Sequence, residues 1–119
     1  MESAALSLYE LNNLVRSLIE AELDGEYWLE AELSEVRLAS NGHCYVEFVQ
    51  KDGSGRNLVA RARGTIWARM YNLLVPLFER ATGERLRAGM KVRVQVSIGF
   101  HELYGYALNV VDIDPAYTL

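Results

Sequence analysis

A chain of 119 residues, half of them hydrophobic, is long enough for one domain around a single core, and two prolines with no low-complexity run leave little room for disorder. No 18-residue apolar stretch is present, Met1 to Ala5 has no basic region leading into an apolar one, and the single cysteine excludes an internal disulfide; no membrane-spanning helix and no secretory signal are expected, and a reducing, cytoplasmic compartment is. The net charge of −4 argues against a nucleic-acid partner, but it is unevenly spread: residues 1–50 hold two basic and ten acidic side chains, residues 51–119 ten basic and six acidic. Ten of the twelve basic residues are arginine, the side chain suited to phosphate forks and to stacking on bases, so one face can still attract a polyanion.

Ser7-Leu8-Tyr9-Glu10 is a capping box, in which the Ser hydroxyl and the Glu carboxylate satisfy free amides of a first helical turn. Leu8, Leu11, Leu14, Val15, Leu18 and Ile19 follow at helical spacing to about Leu23, and Asp24-Gly25 stops the helix. Its polar face is Asn12, Asn13, Arg16, Ser17 and Glu20, which predicts an amphipathic lid laid on a sheet.

Trp28 to Thr65 reads as three strands. Tyr27, Leu29, Ala31 and Leu33 alternate with polar residues, and the phase then slips at Val36 and Leu38, which predicts a bulge or strong bend. After the Asn41-Gly42-His43 turn, Cys44, Val46, Phe48 and Gln50 share one face and Tyr45, Glu47, Val49 and Lys51 the other. The Asp52-Gly53-Ser54-Gly55 turn leads to Leu58, Ala60, Ala62, Gly64 and Ile66, whose small members suit the inside of a narrow barrel, with Arg61 and Arg63 on the opposite face.

Residues 66–74 return to helical period. Pro76 either kinks this helix or opens a second short one that ends at Thr82-Gly83. Val92, Val94, Val96 and Ile98 then alternate cleanly, residues 101–105 make a hairpin tip, and a last strand runs from Tyr106 to Ile113. Helix, three strands, helix, two strands is the order of a five-stranded OB-fold Greek-key barrel, mainly β with an N-terminal helix and a helix between strands three and four. The expected organisation is a capping helix over 1–25, the barrel over 26–114, and the start of a linker over 115–119.

No catalytic constellation stands out. His43 and Cys44 are adjacent and His101 is far away, so metal-ligand spacing fails, and a strand sends Cys44 and His43 to opposite sides. Cys44 reads as a buried small apolar residue, and no cofactor is expected. His43 can donate to a phosphate or stack on a base, but closing the turn is the commoner role for such a residue. Trp28 and Trp67 flank helix boundaries, where core or rim packing is expected. Tyr45, Arg61 and Arg63 should lie side by side on neighbouring strands, with Tyr104 and Tyr106 flanking the final hairpin. Aromatics mixed with arginine are what a single-stranded nucleic-acid platform needs; a solvated strand face covered by a tyrosine is the bland alternative.

Leu8-Tyr9-Glu10-Leu11-Asn12-Asn13-Leu14-Val15, Trp28-Leu29-Glu30-Ala31-Glu32-Leu33-Ser34, Gly42-His43-Cys44-Tyr45-Val46 and Lys51-Asp52 together give the chain a family likeness. It resembles the N-terminal OB-fold domain of the exodeoxyribonuclease VII large subunit, with Ala31 where that family usually has glycine. The resemblance implies a fragment that binds single-stranded DNA for a hydrolytic domain beyond it. The parent enzyme works with copies of a small subunit, which the absent C-terminal part is expected to hold. The residues expected to bind DNA are His43, Tyr45, Arg61, Arg63 and Tyr104; the motif match covers only His43 and Tyr45. An RNA-binding OB module and a protein-interaction barrel are the other two readings.

Overall fold

A computed structural model describes residues 4–119 of the chain, so the first three residues of the expected 1–25 unit lie outside the described residues. The elements are α1 (Leu8–Glu22), β1 (Glu26–Leu38), β2 (Cys44–Lys51), β3 (Leu58–Ile66), α2 (Ala68–Thr82), β4 (Lys91–His101), β5 (Gly105–Asp114) and a one-turn α3 (Pro115–Thr118). The five strands close into a barrel in the order β1-β2-β3-β5-β4, the OB-fold expected from the element order. Among the described residues no helix is long and apolar enough to cross a membrane.

β1 serves two neighbours. Its first half pairs with β4 and its second half with β2, and the register with β2 shifts between Leu33 and Glu35, where the hydrophobic phase slips. The extra residue lets one long strand bend around the barrel. β2 and β3 pair antiparallel along most of their length. Closure comes from a short parallel seam in which Gly64 faces Leu108 and Thr65 faces Asn109.

The core is filled by Leu33, Cys44, Val46, Phe48 and Ile66 from one side and Val92, Val94, Val96, Leu108 and Val110 from the other. Gly64 is required by this packing, because a Cβ there would lie 2.6 Å from Phe48 Cε2 and 3.0 Å from Val46 Cγ2. Cys44 is fully buried, and burial pushes its thiol up from the usual range. α2 sends Val75 and Phe78 into the same cluster and so plugs one end of the barrel. It is one continuous helix. Pro76 and Asn72 both face solvent, so the Asn72 carbonyl that loses its helical partner to the proline stays open to water.

One expectation needs correction. α1 has its capping box, with Glu10 N donating to Ser7 Oγ at 3.0 Å and Ser7 N to Glu10 Oε1 at 2.9 Å. It is not, however, a lid with its apolar side down. Its polar side is docked instead: Asn12 Nδ2 donates to the Glu102 carbonyl at 2.8 Å, Asn13 Nδ2 to Glu102 Oε2 at 3.0 Å, and Arg16 pairs with Glu102 Oε1 at 3.1 Å. The bond from Asn13 foremost, with the Glu102 backbone amide and Arg16, holds the Glu102 carboxyl below the usual carboxylate range. Leu8, Leu14 and Leu18 are left 60–73% exposed on the other side. Residues 115–118, where the linker is expected to begin, form α3 against β4. Asp114 caps α3 by accepting from Ala116 N, Thr118 Oγ1 donates to the Lys91 carbonyl at 2.9 Å, and the Arg93 guanidinium sits 4.7 Å from the centre of the Tyr117 ring.

Candidate nucleic-acid interface

Residues paired across a sheet point to the same face, so the register shows what the barrel exterior presents. Arg37 on β1 faces Tyr45 on β2, Tyr45 faces Thr65 on β3, Thr65 faces Asn109 on β5, and Asn109 faces Ser97 on β4. This row crosses all five strands. It runs through a groove of about 670 Å³ that is also lined by Arg63, Trp67, Gly99, His101 and Tyr104.

Several side chains in the groove are held by neighbours. The Arg37 guanidinium lies 4.9 Å from the centre of the Tyr45 ring, a cation–π contact, and the Tyr45 hydroxyl accepts from Asn41 Nδ2 at 3.3 Å. Trp67 donates from its indole nitrogen to Asn109 Oδ1 at 2.8 Å. Arg63 donates to the backbone carbonyl of Tyr104, and its Nη2 also reaches the Tyr106 carbonyl at 3.4 Å, so it straps β3 to the β4–β5 hairpin. At the hairpin tip His101 Nδ1 accepts from Leu103 N at 3.0 Å, and its ring lies 4.7 Å from that of Tyr104.

The expected residues divide. Tyr45, Arg63 and Tyr104 all line the groove. His43 does not: its Nδ1 accepts from Ala68 N at 2.9 Å, which caps α2, and its ring packs edge-on against Trp67 at 4.7 Å. Arg61 and Arg63 do share a face with Tyr45, but not side by side with it. Arg63 faces Glu47 and Arg61 faces Val49, two further steps along β3 from the residue opposite Tyr45. Arg61 pairs with Glu47 Oε2 at 3.3 Å and lines an adjoining recess with Tyr106.

Arg37, Trp67 and Asn109 also belong to the groove; the sequence points to none of them for binding and to Trp67 only for core or rim packing. Arg37 follows the bulge, so its alignment with Tyr45 depends on a register that periodicity cannot count. Trp67 sits at the rim, 48% exposed, and Trp28 is 52% exposed, so neither joins the core. Asn109 did carry a signal, since asparagine is depleted in strands and here stands between Leu108 and Val110. Glu35 and Glu47 also line the groove, which reduces its net positive charge.

The family described as OB-fold nucleic acid binding domain matches residues 6–114. The exodeoxyribonuclease 7 large subunit of Deinococcus radiodurans is 38% identical over 118 residues, which is 96% of this chain and 28% of that protein. The protein of the same name from Pseudoalteromonas atlantica is 34% identical over 107 residues, 89% of this chain and 20% of that one. The chain therefore spans between about a fifth and a little over a quarter of the length of these relatives. Among solved structures, the N-terminal domain of the PriB protein from Thermoanaerobacter tencongensis superposes with a TM-score of 0.50 at 14% identity, covering 76% of this chain and 94% of that one. At that identity the likeness is one of fold.

Proposed function

Because the chain belongs to the family of OB-fold nucleic acid binding domains, we propose that it is the single-stranded-DNA-binding domain of an exodeoxyribonuclease VII large subunit. The observation that carries this reading is the row Arg37–Tyr45–Thr65–Asn109 along the floor of an open groove. An aromatic face offers a base a stacking surface, and flanking arginines offer phosphates a charge partner. A duplex hides its bases from such a surface, which favours single strands. In the parent polypeptide this domain presents the strand to a hydrolytic region outside the chain, which also engages the small subunit, in the cytoplasm.

The domain alone is expected to release no nucleotides from a labelled single-stranded oligonucleotide. Cys44 is buried and His43 Nδ1 is engaged as a helix cap, and among the described residues no three potential metal ligands cluster. Nuclease activity that co-purifies with the domain would refute this.

Binding is tested by fluorescence anisotropy with an unstructured labelled oligonucleotide over a range of salt concentrations. Affinity should fall with salt, with a slope of about −0.7 per phosphate contact, and the joint change of Arg37 and Arg63 to Ala should flatten it by about 1.4. Arg61→Ala should have a smaller effect, because Glu47 already neutralises that guanidinium. Equal binding of duplex and single strand, or a slope unmoved by the double change, would sink the proposal.

A further inference from the structure

Leu108 and Val110 point into the core, 4% and 1% exposed, so Asn109 between them emerges on the groove side of β5. Its carbonyl oxygen accepts from Trp67 Nε1 at 2.8 Å. An indole nitrogen can only donate, so this bond fixes which way the amide lies. Oδ1 faces Trp67, and Nδ2 with its two hydrogens faces away.

Beside Nδ2 stands Gly99. A Cβ at Gly99 would lie 3.2 Å from that nitrogen and 3.5 Å from the Ala107 carbonyl. The backbone at Gly99 is not left-handed, so its conformation does not call for glycine; a Cβ there would instead press on the Asn109 amide. Among the described residues no acceptor bonds Nδ2, and no polar side-chain atom is both buried and unbonded, so this donor opens on solvent.

We propose that Asn109 is a base-reading residue of the groove, a fixed donor for a nucleobase carbonyl, and that it favours thymine over adenine. An asparagine normally reads adenine with two bonds, donating to N7 and accepting from N6. Here the oxygen is already held by Trp67, which leaves a donor alone. Thymine offers carbonyl oxygens on its exposed edges, whereas adenine has none and must be met at a ring nitrogen. The inference rests on the single-strand reading of this groove.

The test is the ratio of affinities for dT and dA homo-oligonucleotides of equal length, compared between proteins. Adenine's tendency to stack within its own strand cancels in that comparison. The parent's dT/dA ratio should exceed that of Asn109→Leu by about threefold to tenfold, the worth of one hydrogen bond. Asn109→Asp keeps an acceptor for Trp67 but turns an oxygen toward the base, so its ratio should fall to or below that of the leucine variant. Gly99→Ala, which crowds Nδ2 and leaves the Trp67 bond in place, should lower the ratio as well, and both serve should the leucine variant not fold. A ratio indifferent to position 109 in proteins that bind both strands overturns this inference and leaves the single-strand reading standing. A parent that binds neither strand overturns both.

Discussion

Phe78→Ala is expected to destabilise the domain by about 3–5 kcal/mol, the cost of emptying a buried aromatic site. Phe78 is 2% exposed and projects from α2 into the cluster that contains Val75, Val92 and Val110. A barrel of this size must be stoppered at its ends by whatever covers it, and α2 supplies one stopper. The loss is large beside the roughly 5–15 kcal/mol that holds a domain folded. Urea unfolding followed by circular dichroism should show the midpoint lowered by at least about 1 M, with an unchanged slope. Phe78→Leu retains much of the volume and should cost distinctly less. A change below about 1 kcal/mol for the alanine variant would mean that α2 is not the plug.

Tyr45→Ala should weaken single-strand binding by roughly 1–3 kcal/mol, about 5- to 150-fold in Kd, if one base stacks on this ring. The ring sits between Arg37 on β1 and Thr65 on β3, with its hydroxyl held by Asn41, so it is positioned before any ligand arrives. The salt slope should hardly move, because no charge is removed. That separates stacking from phosphate contacts, which the arginine changes should alter in the opposite pattern. Tyr45→Phe keeps the ring and gives up only the bond from Asn41, so it should bind close to the parent. An alanine variant that binds as tightly as the phenylalanine variant would remove Tyr45 from the interface.

Most of the fold was legible because its signals are local. Val92, Val94, Val96 and Ile98 announce a half-buried strand, the Ser7–Glu10 box a helix start, and the break in phase after Leu33 a bulge. α1 was misread because amphipathic spacing reveals that a stripe exists and not what it faces. The decisive partner is Glu102, some 90 residues away in the chain, which draws in Asn12, Asn13 and Arg16 and turns the leucines outward. The groove was legible only in part. Alternation places Tyr45, Arg61 and Arg63 on one face, but their order along it depends on register, and Glu47 claims Arg61. His43 ends the turn into β2, but its ring caps α2, a role that depends on the fold bringing residue 68 to it.

The parallel seam that closes the barrel pairs only Gly64 with Leu108 and Thr65 with Asn109, whereas the β4–β5 ladder runs from Arg93–Asp114 to His101–Gly105. A hoop breathes at its weakest joint, so transient opening of the native domain should begin there and not at the long hairpins. Thr65 and Asn109 are also the middle of the row across the groove. A strand of nucleic acid lying over them touches both lips of that joint and holds them together. Its binding would then be written in time as well as in space, as slower amide exchange at residues 64–66 and 108–110 along the seam.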